Sequence, residues 1–360
     1  MVPVMLVCLH RLFLVLLFVS GGSIAYGQGA VPAQSLSPVI VSERPRAVQE
    51  FTVDAAQVRD MVNGALMRLT SATDIGTAWT RLGITPQDTV GIKINTDGGQ
   101  AMCTHHALMR AICNGLRAAG VPSAQIIIWD KYQDRMATAG YLVRPATTNH
   151  ASIAAIVPAN FYDPNVTYRN DISGTLMWGD YQFMAYSSYG GNDDDNSANI
   201  PNLSYYTKFV TSACTKIINV PVLTDNAYVG INGCLSSLAL GCTDNNRRFQ
   251  GPPAYGDPAI CEILDQMFLR RKVVVHIMDA LVAQCAGGPA FNPQFCQSLG
   301  AIYVGRDPVA IDSIVLPRLE RMRRQMGVPP IGGAANYIYD APNYNLGTTD
   351  RSRIQFLSVP

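Results

Sequence analysis

Lysine, histidine and aspartate residues suited to acid–base chemistry follow the predicted strands of this sequence. Lys93 lies in the run VGIKIN at residues 90–95, and Asp130 ends the run IIIWD at residues 126–130. In an open parallel sheet, ligands bind beyond the carboxyl ends of the strands. We therefore predict a site at this edge of the sheet, whose candidate catalytic residues are Lys93, His105, Asp130 and Asp279.

Lys93 is the most unusual of these residues, because it is one of only five lysines in the chain and lies inside a predicted strand. A buried lysine can hold an anion or act as a base with a lowered pKa. The alternative is an edge lysine whose stem is buried while its ammonium group reaches water. The sequence leaves both interpretations open.

His105 and His106 open the helix after that strand, with Thr104 as the predicted N-cap. The helix dipole disfavours a positive charge there, so these imidazoles are suited to metal binding or proton transfer. Adjacent helical residues point about 100° apart, which makes a shared ligand difficult. The alternative is that these residues simply begin a helix. We therefore list His105 and His106 as candidate metal ligands, and the sequence does not identify a cofactor.

Asp130 can pair with Lys93 or cap the following helix, and capping is the interpretation that residue preferences favour. Polar residues near the same predicted edge are candidates for ligand binding. They are Asn95, Asp97, Asn226, Asn232 and Asp312.

The elements that would position these residues indicate an α/β fold, with a mostly parallel sheet, flanking helices and a β-rich polar insertion at about 145–210. Buried apolar runs alternate with stretches of helical periodicity, and this order is typical of βαβ units. The predicted strands are 90–95, 126–129, 217–220, 273–277 and 302–304, and the predicted helices are 54–71, 104–120, 231–240 and 257–270.

The domain organisation begins with a predicted signal peptide at residues 1–27, because Arg11 precedes a short apolar run and a small-residue cleavage site. That run is too short to span a bilayer. We expect a secreted or periplasmic protein without a stable membrane span after cleavage. An extended leader at 28–47, the α/β domain at 48–330 and a C-terminal tail at 331–360 follow.

Composition excludes two classes of protein. The 360 residues carry 27 Lys plus Arg against 26 Asp plus Glu, and 48% of them are hydrophobic. Such a balance is not typical of disordered chains or of proteins that bind nucleic acid through a general basic field. Cleavage would leave eight cysteines, for which Cys234–Cys242 and Cys285–Cys296 are plausible local disulfides. The alternative is that the cysteines are buried small hydrophobic residues.

Four segments together resemble the domain of unknown function 362 family, in the same order along the chain. The strand 90–95 with the Thr104-led helix and the IIIWD strand is similar to its opening. Residues 218–223, 277–280 with 287–289, and above all GRDPVAID at 305–312 resemble its later motifs. The resemblance implies the fold and the location of a site at roughly 85–325, and no particular reaction.

The sequence departs from the family pattern after Pro221, where an expected lysine and an expected histidine are both absent and Asp225 and Asn226 occupy the neighbourhood of that histidine. The ferredoxin-like cysteine runs of some members are missing, so an iron–sulfur cluster is not implied. Our leading hypothesis is an exported protein that binds a small anionic molecule through Lys93 and its neighbours, with catalysis by Lys, His and Asp left open. The alternatives are a non-catalytic glycan- or partner-binding protein and a degenerate family member that keeps only the fold. The sequence does not determine the oligomeric state.

Overall fold

The computed structural model describes residues 36–169 and 203–360, and its centre is a ten-stranded mixed sheet. Eight strands follow the order β14-β1-β13-β12-β9-β4-β5-β6, while β10 pairs with β12 and β11. The strands of the described residues are β1 Ser37–Glu43, β2 Val48–Gln49, β3 Thr52–Val53, β4 Val90–Ile94, β5 Ile126–Tyr132, β6 Ser152–Val157, β7 Tyr162–Arg169, β8 Leu203–Thr207, β9 Lys216–Val220, β10 Val222–Asn226, β11 Gly230–Asn232, β12 Val273–Gln284, β13 Cys296–Gly305 and β14 Ile354–Val359.

Parallel pairing runs without interruption from β12 through β9, β4 and β5 to β6. The predicted α/β fold with a mostly parallel sheet is therefore confirmed. Two smaller antiparallel pairs, β2 with β3 and β7 with β8, lie outside the central sheet. The pair β7–β8 belongs to the predicted polar insertion.

Helices cover both faces of the sheet, which explains why its central strands read as continuous apolar runs. We call the side covered by α1, α2 and α3 the first face and the side covered by α5, α6 and α8 the second face. The α-helices of the described residues are α1 Ala55–Thr70, α2 Ile75–Arg81, α3 His106–Ala118, α4 Gln133–Thr138, α5 Cys234–Cys242, α6 Ala259–Leu264, α7 Met267–Lys272, α8 Pro308–Gln325 and α9 Tyr337–Asp340.

Side chains of β4 alternate between these faces as predicted. Ile92 and Ile94 join the apolar core of the first face, whereas Lys93 lies against α5 on the second face. Strand β12 then brings further elements to the same edge. Its first part, as far as His276, pairs with β9, and from Asp279 onwards it pairs with β10, so it extends past the end of β9.

The chain ends differ from the predicted organisation. Residues 37–43 of the predicted leader form β1, which lies between β13 and β14 in the central sheet. The predicted tail at 331–360 contains α9 and supplies β14 as an edge strand. Strand pairing between segments so far apart in the sequence leaves no local signal in either segment.

Two helix starts also differ from prediction. The predicted helix 257–270 is two helices, α6 and α7, and Pro258 is the N-cap of α6, without a side-chain cap. At the start of α8 the N-cap is Asp307, whose Oδ1 accepts a hydrogen bond of 2.8 Å from the backbone N–H of Ala310. Thr104 does not cap α3, because His105 occupies that position and the Thr104 hydroxyl donates to the carbonyl of Val220.

The cysteines differ from the predicted disulfides. All eight cysteines of the described ranges are free thiols. Cys234 and Cys242 begin and end α5, and eight residues of helix rise about 12 Å, which is too far for a disulfide. Cys285 directly follows β12 and Cys296 begins the neighbouring strand β13, and both are thiols.

The predicted signal peptide at 1–27 and residues 170–202 of the predicted insertion lie outside the described residues. Within the part of the chain that the structure describes, no helix is both long enough and apolar enough to cross a bilayer.

Candidate functional site

A buried ion pair joins the ends of β4 and β5. The Nζ of Lys93 lies 2.9 Å from Oδ1 of Asp130, and Lys93 is only 2% exposed. The ammonium group also donates to the carbonyl of Ile94, and the Trp129 ring lies 5.9 Å away. Lys93 is therefore not an edge lysine that reaches water, and Asp130 pairs with it rather than capping a helix.

Asp130 is held from three sides. Its Oδ2 accepts a hydrogen bond of 2.7 Å from the hydroxyl of Thr96, and its Oδ1 accepts one of 2.8 Å from the backbone N–H of Lys131. A buried carboxylate is tolerated when hydrogen bonds and an opposite charge replace its water. These contacts fix Asp130 as the counter-ion of Lys93.

Gly241 of α5 provides the space that Lys93 occupies. A Cβ placed on Gly241 would overlap with Cε of Lys93. The helix can therefore lie close to the strand only because this position lacks a side chain.

Lys93 belongs to a polar row that crosses the second face of the sheet. In register, Lys93 pairs with Asn219 of β9, which pairs with His276 of β12. The Asn219 amide nitrogen lies 3.1 Å from Nδ1 of His276 and donates to the carbonyl of Cys234 at 2.8 Å. Burial lowers the pKa of His276 to about 3, so this imidazole is neutral and structural.

A cavity of about 580 Å³ opens beside Lys93, at the carboxyl ends of β4 and β5. This volume is typical of sites for small molecules. Lys93, Asn95, Asp97, Asp130, Asn226 and Asn232 all line it, so six of the predicted residues converge. The other lining residues are Lys131, Tyr132, Arg135, Ala227, Tyr228, Ser236, Ser237, Leu240, Gly241, Asn246, Arg247, Gln250, Gly287, Gly288, Pro289 and Ala290.

The described lining carries an excess of positive charge. Its four basic side chains, Lys93, Lys131, Arg135 and Arg247, face two carboxylates, Asp97 and Asp130.

Both carboxylates are already engaged, Asp130 by Lys93 and Asp97 by Arg135. Lys131 is 9% exposed, and its Nζ donates to the backbone carbonyl of Thr243 at 2.9 Å. Among the residues described, no carboxylate pairs with Lys131, so its charge is available to a ligand.

Two asparagines brace the opposite wall of the cavity. The amide nitrogen of Asn226 donates to Oδ1 of Asn232 at 2.8 Å, and Asn232 donates to the hydroxyl of Thr224 at 3.0 Å. Next to them, Asp225 accepts two hydrogen bonds, of 2.9 and 3.1 Å, from the backbone N–H of Gly288. These contacts hold the 287–290 loop against the cavity.

His105 and Asp279 form a separate pair that does not line this cavity. Nδ1 and the backbone N–H of His105 both lie 2.8 Å from Oδ2 of Asp279, which also accepts at Oδ1 from the backbone N–H of Leu281. Burial lowers the pKa of His105, but the charge of Asp279 and their hydrogen bond raise it by more, so the net shift is upward. The pair joins the start of α3 to β12.

The structure separates the two candidate metal ligands. Nε2 of His106 lies 2.9 Å from the carbonyl oxygen of Ala139, and its ring stacks on Tyr141, whereas His105 contacts Asp279. Across residues 36–169 and 203–360, no group of three or more His, Cys, Asp or Glu side chains is placed to hold a metal ion.

Asp312 lies away from the cavity, at the start of α5. Its carboxylate accepts hydrogen bonds of 2.7 and 3.0 Å from the backbone N–H groups of Cys234 and Leu235. Burial raises the pKa of Asp312 to about 7, against the effect of these hydrogen bonds. The predicted ligand-binding residue therefore acts as a buried helix cap.

Sequence reasoning missed several lining residues, above all Lys131 and Gly241. Lys131 directly follows Asp130 at a strand end and is one of the five lysines, which is a usable signal. Gly241 carries no such signal, because its role depends on a neighbour 148 positions away in the sequence, at Lys93.

Comparison with protein families supports the resemblance seen in the sequence. Residues 194–317 match the model of a family described as "Domain of unknown function (DUF362)". This finding confirms the resemblance over those residues, which include one wall of the cavity from Asn226 to Ala290. Lys93 and Asp130 lie outside the matched range.

No curated protein matches the chain. Among solved structures, a crystal structure of a protein from Thermotoga maritima matches with a TM-score of 0.41 and 6% sequence identity. The match covers 82% of this chain and 60% of that protein. The chain therefore spans less than two thirds of the solved protein that it resembles.

We predict that Gly241→Ala destabilises the protein by about 1–3 kcal/mol, because the added methyl group overlaps with Lys93 in a packed core. Urea unfolding of the purified variant measures this change. Gly64→Ala is the matched control, since Gly64 is also inside a helix but has nothing within 4 Å of an added Cβ. That control should be neutral or stabilising by up to about 1 kcal/mol. Equal effects of the two substitutions would contradict the close approach of α5 and β4.

We also predict that the His105–Asp279 pair stabilises the protein more at low pH than at high pH. Because folding raises the pKa of His105, its contribution is fully present below the unfolded value of about 6.5 and is lost as pH rises through the folded value. Urea unfolding from pH 5.5 to pH 9 should show the difference between the native protein and His105→Gln shrinking as pH increases.

The control for this profile is His150→Gln. His150 is exposed and contacts no carboxylate among the described residues. Its difference from the native protein should stay constant over the same pH range. A His105→Gln difference that is constant or grows with pH would contradict the ion pair.

Proposed function

We propose that this protein binds a small anionic molecule in the cavity at the carboxyl end of β4 and β5. The observation that carries the proposal is the charge of the lining. Its two described carboxylates form ion pairs with Lys93 and Arg135, and no carboxylate of the described residues pairs with Lys131. A desolvated ammonium group without a counter-ion favours a ligand that brings one.

The proposal gives Lys131 the role that the sequence assigned to Lys93. The ammonium group of Lys93 is already engaged by Asp130 and by the carbonyl of Ile94. Its function is to position Asp130. Asp130 in turn accepts a hydrogen bond from the backbone N–H of Lys131 and so orients the backbone of Lys131. Lys131 therefore contacts the ligand, and Lys93 is a positioning residue.

The proposal concerns binding and does not route a proton through His105. His105 and Asp279 contact each other and neither lines the cavity, so Lys93, His105 and Asp279 do not share one ligand there. A proton-transfer role for His105 in this cavity is therefore not part of the proposal.

We predict that Lys131→Gln weakens the binding of succinate and inorganic phosphate by about tenfold or more, which is the loss of one charge-assisted hydrogen bond. Isothermal titration calorimetry on the purified protein measures the affinity. Lys272→Gln is the matched control, because the Lys272 ammonium also donates to backbone carbonyls, those of Val210 and Thr211, away from the cavity. Unchanged affinity in Lys131→Gln, or equal loss in both variants, would contradict the proposal.

We further propose that the protein is exported through its N-terminal segment, on the basis of Arg11, the apolar run and the small residues that follow. In a secreting host, intact-mass analysis should find a chain that begins near Gln28. Leu14→Asp interrupts the apolar run and should leave the precursor uncleaved inside the cell, whereas Val31→Asp, beyond the predicted cleavage site, should be processed normally. Retention of residues 1–27 in exported native protein would contradict cleavage there.

A further inference from the structure

The cavity lining contains many groups that both donate and accept hydrogen bonds. Nine lining residues carry an amide or a hydroxyl group, against six that carry a charge. The nine residues are Asn95, Asn226, Asn232, Asn246, Gln250, Ser236, Ser237, Tyr132 and Tyr228. An ionised carboxylate accepts hydrogen bonds only, so it uses the donors of this lining and none of its acceptors.

Ser237 is a buried hydroxyl without a partner. It is 6% exposed and lines the cavity, yet its Oγ makes no hydrogen bond within the described residues. The neighbouring Ser236 differs, because its hydroxyl donates to the carbonyl of Ile231 at 2.6 Å and accepts from the N–H of Gly233 at 3.0 Å. Buried polar groups are nearly always hydrogen-bonded, so an unpaired hydroxyl that lines a cavity indicates a ligand group.

Gln250 supplies an acceptor to the same cavity. Its amide nitrogen donates to Oδ1 of Asn246 at 2.9 Å, which fixes the orientation of the side chain. Its carbonyl oxygen makes no hydrogen bond to the described part of the chain and is available to a donor on the ligand.

Tyr228 adds an aromatic surface at the rim. Its side chain is among the exposed large hydrophobic groups, with 53% exposure, and it lines the cavity. Its backbone is fixed, because the N–H of Tyr228 donates to Oδ1 of Asn226 at 2.9 Å. An exposed ring on a fixed backbone can cover an apolar C–H face of a ligand while its hydroxyl reaches water.

We infer that the ligand of this cavity is a small polyhydroxylated anion, that is, a sugar acid or a sugar phosphate. The inference rests on the proposed anion binding at Lys131 and extends it. The anionic group lies against Lys131, the hydroxyl groups pair with Ser237 and Gln250, and the carbon skeleton lies beside Tyr228. Each ligand hydroxyl donates and accepts, which matches the amides and hydroxyls of the lining.

Calorimetric titration of the native protein with three classes of probe tests this inference. Succinate and inorganic phosphate carry charge without alcohol groups, glucose carries alcohol groups without charge, and gluconate, glucuronate and glucose 6-phosphate carry both. At least one of the last three should bind about tenfold or more tightly than every probe of the other two classes, because a site built to pair hydroxyls discriminates against ligands that lack them. Comparison of gluconate and glucuronate with glucose 6-phosphate shows whether the site prefers a sugar acid or a sugar phosphate.

Variants separate the inference from the proposed function. Ser237→Ala should lower the affinity for the sugar anions and leave the affinity for succinate and inorganic phosphate unchanged. Lys131→Gln should lower the affinity for all of these anions. Ser313→Ala is the matched control, because Ser313 is also a buried helical serine, whose hydroxyl donates to the carbonyl of Ala310 outside the cavity. Thermal unfolding of each variant verifies that it is folded.

Three results overturn the inference in distinguishable ways. If succinate or phosphate binds as tightly as every sugar anion, the hydroxyl part is wrong while the anion site stands. If Ser237→Ala and Ser313→Ala have the same effect, the buried hydroxyl does not contact the ligand. If no anion binds at Lys131, both the inference and the proposed function are wrong.

Discussion

The architecture of the site depends on one buried interaction, the ion pair between Lys93 and Asp130. Burying two charges is unfavourable unless their remaining hydrogen-bonding groups are satisfied. Here the carbonyl of Ile94 and the hydroxyl of Thr96 complete the two partners. Because Lys93 and Asp130 lie near the carboxyl ends of adjacent parallel strands, the pair also joins β4 to β5 at the edge where the cavity opens.

The two faces of the sheet divide the titratable groups. Lys93, on the second face, lies under α5 at the position where Gly241 leaves space. His105 comes after β4 in the chain and lies on the first face. There the Asp279 carboxylate contacts its ring nitrogen and accepts a hydrogen bond from its backbone N–H. The pair thus joins α3 to β12 and takes no part in the cavity. A single parallel sheet accommodates two polar pairs at one edge because its faces are separated by the sheet itself.

The sequence predicts the central strands and six lining residues well, since buried parallel strands read as apolar runs and their polar ends meet at one edge. It does not predict which face a residue reaches after its strand ends, and His105 is therefore misplaced. Asp312 is misplaced for another reason, because its partners lie in α5, at Cys234 and Leu235. Strand β14 is an edge strand and β1 lies beside it, between β14 and β13, so both are stabilised by pairing with segments far away in the sequence.

The charge balance of the whole chain conceals the local balance that matters for binding. Near-neutrality arises because the lysines and arginines are matched by acidic residues overall, yet within the described cavity the match fails at Lys131. The ion pair explains this, because the Asp130 carboxylate is paired with the ammonium group of Lys93. It contacts Lys131 only by accepting a hydrogen bond from its backbone N–H. In the proposed binding mode, a ligand anion supplies the counter-ion of Lys131 and leaves the Lys93–Asp130 pair intact. Lys93, the lysine that is most conspicuous in the sequence, therefore supports the site, and it is the less conspicuous Lys131 that the proposal assigns to the ligand.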